Sequence, residues 1–202
     1  AIEVAFSGKK EVNINKCIVV CNNASRSNYY HWTVQTMVSV VGSLRHIKHN
    51  NFSLLIPSDL KRYQADWLEL CGIKLGASNI IRYSHKEVLS SKKMIVPLTL
   101  YSPFDFCPCS LKLKKFRKFV QEITSKIKLP RYMPKKIYIS RSDSNKPRGI
   151  ENEEKFEKKL EQCGFYIFRA SLWSITEQVH FFRNADFIVA PHGAGLSNLI
   201  FA

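Results

Sequence analysis

Apolar positions along this chain keep two rhythms, and the rhythms alternate. Short uninterrupted runs at 16–20, 52–57, 80–83, 94–97, 136–140, 165–169 and 187–190 are bounded by polar, glycine or proline positions, which predicts buried strands. Between them apolar residues recur at helical spacing. Tyr30, Val34, Met37, Val38, Val41 and Leu44 share one face of a long helix that Ser27 or Asn28 can cap, and a second helix over 60–71 ends at Gly72. Phe116, Val120, Ile123 and Ile127 mark a third, 152–163 with Gly164 beyond it a fourth, and the capping box Ser174-Ile-Thr-Glu177 opens a fifth reaching Asn184. A last apolar helix begins near Leu196. Strand alternating with helix predicts parallel sheets covered by helices, in two βα series separated by an irregular stretch at 101–110 that carries Pro103, Pro108 and Cys107-Pro-Cys109.

Parallel strands end on a common edge, so residues just past the strands share one rim. Arg141 follows the strand at 136–140 and His192 follows the one at 187–190, which predicts that these two lie on the same rim. His192-Gly193-Ala194-Gly195 is then the corner between a buried strand and a helix. Its glycines let a ligand approach the backbone, and free amides at a helix start attract anions; glycine corners also exist merely to turn the chain.

Composition narrows the ligand. The chain has 202 residues, 31 Lys+Arg against 16 Asp+Glu, and a net charge of +15, so its surface attracts phosphate in some form: nucleic acid, anionic lipid or a phosphorylated small molecule. Between Leu111 and Lys136 the basic residues face a single acid, Glu122, a pattern that fits a solvated helix face as well as a binding patch. No run approaches a membrane span, and the first residues lack a signal pattern. The chain starts without Met and stops within an apolar segment, the expected look of a piece of something longer. Six cysteines lack paired C-x-x-C spacing and suit small core residues of a reducing compartment; two glycosylation sequons, at Asn23 and Asn51, are what chance supplies.

Four separated pieces together carry a resemblance: Asn28-Tyr-Tyr-His-Trp32, Ile139-Ser-Arg141, Arg148-Gly-Ile-Glu-Asn-Glu153, and Ser174-Ile-Thr-Glu-Gln178 leading into Ile188-Val-Ala-Pro-His-Gly-Ala-Gly-Leu196. In this order they resemble the family 61 glycosyltransferases, the family that includes plant xylan-modifying, animal O-linked and bacterial capsule-type enzymes. The resemblance implies an α/β fold of GT-B-like type, two Rossmann-like parallel-sheet halves facing across a substrate cleft. It divides the chain into an N-terminal acceptor-side half at 1–110, a basic linker helix at 111–134, and a nucleotide-sugar-binding half at 135–202 that is truncated, since family members continue further. It also places an acidic residue one helical turn after the first motif's histidine, where this chain has Gln35.

The implied chemistry is transfer of a sugar from a nucleoside-diphosphate donor, UDP-linked in the first instance, to a hydroxyl of a glycan or protein, with inversion. Such a transfer needs charge neutralisation on the leaving diphosphate and a base for the acceptor. On the matched positions Arg141 and Arg148 supply planar cationic forks, and the amides of Gly193, Ala194, Gly195 and Leu196 receive the same diphosphate. His192 touches phosphate or only shapes the loop. Asn152 and Glu153 hold ribose or base, or serve as helix cap and first-turn acid. His31 is the candidate base, imidazole being able to accept a proton near neutral pH; a histidine among Tyr29, Tyr30 and Trp32 also fits simple packing. No Asp-x-Asp pair occurs, so metal-independent catalysis without a cofactor is expected.

Two other readings stay open. Gln35 and the truncation suit a degenerate domain that binds glycan or phosphate without turnover. The charge permits a nucleic-acid module, but no helix-turn-helix, zinc-finger or RNP-like motif is present, so no nucleic acid is expected. The expected setting is the bacterial cytoplasm, peripheral to an anionic membrane surface, with a Golgi or ER lumen as the alternative.

Overall fold

A computed structural model of the chain describes residues 10–20, 26–49, 52–84, 87–97, 110–127, 133–143 and 150–202. The chain forms two compact units, Ala1–Pro108 and Cys109–Ala202, each built on its own parallel sheet. Among the described residues no helix is long and apolar enough to cross a membrane.

The first unit holds β1 (Lys10–Val19), β2 (Ser53–Pro57), β3 (Ile80–Tyr83) and β4 (Glu87–Ile95) in the order β3-β2-β1-β4, every neighbouring pair parallel. Leu54, Leu55 and Ile56 of β2 and Cys17 and Ile18 of β1 are buried irrespective of which way they point. Strands covered on both faces need unbroken apolar runs, which is why these two were legible. Both β1 and β4 start earlier than the apolar pattern indicates. Lys10–Lys16 pair with Glu87–Lys93 beyond the reach of β2, a ribbon held by main-chain pairing and by an alternating apolar face on which Ile14 is buried and Val12 and Leu89 pack.

After β1 the chain enters a helix at Tyr29. The Asn28 side chain caps it, its Oδ1 accepting from the Tyr30 amide at 2.9 Å. His31–Thr36 is a π-helical segment that continues into α1 (Met37–His49). The helix α2 (Arg62–Leu70) stops at Gly72, whose φ of +79° suits glycine, with Ile73 N–H closing back on Leu68 O at 3.0 Å.

The second unit contains α3 (Ser110–Thr124), β5 (Lys136–Ile139), α4 (Glu153–Gln162), β6 (Tyr166–Phe168), α5 (Ile175–Asn184) and β7 (Phe187–Val189). Its strand order is β6-β5-β7, again all parallel. The capping box holds: Glu177 N–H donates to Ser174 Oγ at 3.3 Å and Ser174 N–H to Glu177 Oε2 at 2.8 Å. Within the basic stretch, α3 buries Phe116, Val120 and Thr124 in this unit, and Phe116 meets Phe201 with ring centroids 6.3 Å apart. The closing segment Ala194–Phe201 is a 3₁₀ helix rather than the α-helix its apolar residues suggest. Cys17 and Cys71 are buried free thiols and Cys163 an exposed one; burial pushes the Cys71 thiol up to about 12.

Candidate active site

In both units the strand order reverses beside the first strand of the series, and in open parallel sheets ligands bind outside the carboxyl ends at that reversal. In the second unit this crevice lies past β5 and β7, where Ser140-Arg141 and Pro191-His192-Gly193 leave the sheet. The two share one rim as expected, and they also touch: Arg141 Nη1 donates to the main-chain oxygen of His192 at 3.0 Å. A Cβ on Gly193 would fall on that guanidinium, so glycine is what lets the arginine lie against the turn. Gly195 is closely packed too, a Cβ there standing 3.1 Å from Ile139 Cγ2.

The 3₁₀ geometry changes which amides face the crevice. Leu196 N–H donates to Gly193 O at 3.1 Å, so the turn itself uses the Leu196 amide and the expectation that this amide meets the ligand is corrected. A 3₁₀ helix bonds i to i+3 and therefore engages its amides one residue sooner than an α-helix. The amides of Ala194 and Gly195 precede that first bond. The His192 side chain is exposed, and its carbonyl is the part that ties down the rim.

Glu153, the first residue of α4, is a tie inside the fold. Its Oε1 accepts from the Arg141 amide at 2.9 Å and from the Tyr138 hydroxyl at 2.8 Å. Burial first, then that hydrogen bond and the charges of Glu153 and Glu157, raise the Tyr138 phenol well above its ordinary range and keep it a neutral donor. Asn152 occupies the cap position with a left-handed backbone (φ 56°) and no side-chain cap bond. Arg148 lies outside the described residues.

Residues that sequence reasoning passed over complete this rim. Arg169, just past β6, donates from Nε to Ser142 Oγ at 2.8 Å and from Nη2 to Glu157 Oε2 at 2.5 Å. Ser142 N–H donates to Ser140 Oγ at 3.1 Å, and Ser171 N–H to Asp143 Oδ2 at 3.0 Å. The signal was available, since Arg169 follows β6 as Arg141 follows β5. Asn198 is buried and structural, its Nδ2 donating to Gln178 Oε1 at 2.9 Å, while Gln178 holds the carbonyls of Ala170 and Trp173.

His31 belongs to the first unit, in the helix that follows β1 and therefore at the carboxyl end of that sheet. Its ring meets Tyr30 edge to face, centroids 5.3 Å apart. Among the described residues its Nδ1 is buried without a hydrogen-bond partner, as are Trp32 Nε1, Thr33 Oγ1 and Gln35 Nε2. Gln35 is 4% exposed. A cavity of about 500 Å³ in this unit, lined by Leu44, Ile47, Phe52, Ile73 and Ile80, opens at the amino ends of β2 and β3, away from His31, and carries none of this chemistry. Among the described residues no group of three His, Cys, Asp or Glu stands ready to hold a metal ion.

A parallel sheet whose reversal point carries an arginine over a glycine turn is the kind of place where open sheets of this type can receive an anionic ligand. The sequence profile of the family Glycosyltransferase 61 matches residues 12–202, and the chain belongs to glycosyltransferase family 61. Membership makes it, in general class, an enzyme that moves a sugar from a donor to an acceptor. None of the curated proteins matches the chain.

Proposed function

We propose that the chain transfers a sugar from a nucleoside-diphosphate donor, UDP-linked in the first instance, to a hydroxyl of a glycan or protein, with inversion and without a metal. The observation that carries this reading is Arg141 lying on the His192 carbonyl above the Gly193–Gly195 turn, a cation beside main-chain amides. Together they offset charge building on a departing diphosphate, the part a divalent ion plays elsewhere. Arg148, in the same connection after β5, is proposed as a second fork. Asn152 and Glu153 act here mainly by shaping that connection, and the two sheets are read as the Rossmann-like halves of a GT-B-type enzyme.

His31 is proposed as the base. The buried, unpartnered Nδ1 leaves the rest of the imidazole to meet the acceptor hydroxyl. The net charge of +15 supports a peripheral place on an anionic membrane, and the free thiols a reducing compartment such as the bacterial cytoplasm, with a secretory lumen as the alternative. One observation favours a binding-only domain: four residues on from the histidine, where a carboxylate would strengthen the base, the chain carries a buried carboxamide, Gln35.

Thermal unfolding with UDP, GDP, CDP and ADP, and separately with a single-stranded oligonucleotide, tests the donor reading. A nucleoside diphosphate is expected to raise Tm, and Gly195→Val, which drives a side chain against Ile139, to abolish that rise. Stabilisation by the oligonucleotide alone, lost in moderate salt, would overturn the reading in favour of a nucleic-acid module.

A further inference from the structure

We infer that Arg169 is a positioning residue for the diphosphate site, acting through Ser142 to hold Arg141 in register with the glycine turn. The inference rests on the donor reading above. Arg141 stands between two serines that are tied to each other, Ser140 Oγ lying 2.8 Å from Ser142 Oγ and 3.1 Å from the Ser142 amide. Its own amide is held by Glu153. The connection after β5 is therefore fixed from α4 on one side, and Arg169 supplies the tie from β6 on the other.

The charge of Arg169 is already matched. Its Nη2 meets Glu157 Oε2, a carboxylate whose side chain is 8% exposed against 36% for the arginine. A guanidinium neutralised by a buried partner adds little net attraction for a phosphate, so its contribution is geometric. The planar fork can hold a buried acid on α4 and a hydroxyl on the β5 loop at once, and both must be held for the Arg141 side chain to span to His192. A cation left to wander by an ångström loses much of its worth to a transferring group, which is the physical reason for a second layer of contacts.

The test separates this frame from general stability by removing the tie at its exposed end. Ser142 is exposed, so Ser142→Ala leaves the Arg169–Glu157 pair and the fold intact. With UDP as probe and uridine as the phosphate-free control, Ser142→Ala is expected to weaken UDP binding about fivefold. Uridine binding and ligand-free Tm stay unchanged, and Ser142→Thr, which keeps the hydroxyl, restores UDP binding. Arg169→Lys loses the planar fork and is expected to weaken UDP to the same degree. The double variant Ser142→Ala/Arg169→Lys is expected to be no worse than either single one, since all three break the same link.

Wild-type UDP affinity in Ser142→Ala, equal losses for UDP and uridine, or losses that multiply in the double variant would each overturn the inference while leaving the donor reading standing. A wild-type chain bound by none of the four nucleoside diphosphates would sink that reading, and this inference with it.

Discussion

The carboxyl-end rims of the two sheets differ in how their polar groups are tied, although Glu157 Oε1 in the second also stays without a hydrogen-bond partner among the described residues. In the second unit polar groups along the rim answer one another: Tyr138 and Arg141 meet Glu153, Arg169 meets Glu157 and Ser142, and Asp143 meets the Ser171 amide. In the first unit the helix after β1 buries four polar atoms, on His31, Trp32, Thr33 and Gln35, that have no hydrogen-bond partner among the described residues. An unmet buried donor costs about 1–3 kcal/mol, so a turn carrying several of them gives up stability. A charged ligand of fixed shape rewards a frame assembled in advance. Groups that trade protons or hydrogen bonds with a changing acceptor gain more from being left uncommitted. The π-helical winding at His31–Thr36, a form often found where helices carry function, falls on this uncommitted side.

The sharpest way to break the comparison is His31→Ala. Transfer is expected to fall by about 10²- to 10⁴-fold, the range for losing a general base, while nucleoside diphosphate binding is untouched. Activity near wild type in a sugar-transfer assay would strip the first rim of its proposed chemistry. Next comes Arg141→Ala, expected to weaken UDP by about 10- to 100-fold, as when a charge-assisted hydrogen bond is removed, with little change in ligand-free Tm. Calorimetric titration checks it, and unchanged affinity would show that the second rim's frame holds something other than a diphosphate.

Tyr138→Phe probes the frame through pH and costs about 1 kcal/mol at neutral pH for the lost bond to Glu153. The sign follows from linkage. The folded phenol lies above the unfolded value of 10.0, so its share of stability is complete below about pH 10 and fades as pH climbs towards the folded pKa. Denaturant unfolding from pH 8 to 11 is expected to show a part of the alkaline loss that Tyr138→Phe lacks; parallel curves would contradict the assignment. The smallest effect is expected at Thr33, where valine replaces an unpartnered buried hydroxyl by a methyl group. Thr33→Val is expected to raise stability by up to about 1 kcal/mol. A clear drop in Tm would mean that the Thr33 hydroxyl is met after all.

Apolar periodicity was enough to find the seven strand regions, the capping box at Ser174 and the glycine stops at Gly72 and Gly164, because burial and φ sign are properties of single positions. The order of motifs was enough to indicate the family, and the rule that parallel strands end on a common edge was enough to put Arg141 and His192 on one rim, where the structure adds their hydrogen bond. Three things were settled only by the folded chain. The ribbon of Lys10–Lys16 with Glu87–Lys93 shows only a short alternation of apolar residues, Val12 and Ile14 on one strand and Leu89 on the other, whose burial depends on pairing between strands far apart in sequence. The 3₁₀ winding after Gly193 took the Leu196 amide out of use, a difference of one residue in hydrogen-bond register that side-chain pattern does not encode. Glu153 became a brace, and Arg169, Ser142 and Glu157 became a linked set, because the β6-β5-β7 order laid three loops side by side. Local pattern is fixed by each residue's own burial and backbone preference; which polar groups meet is fixed by strand order, and strand order is a property of the whole sheet.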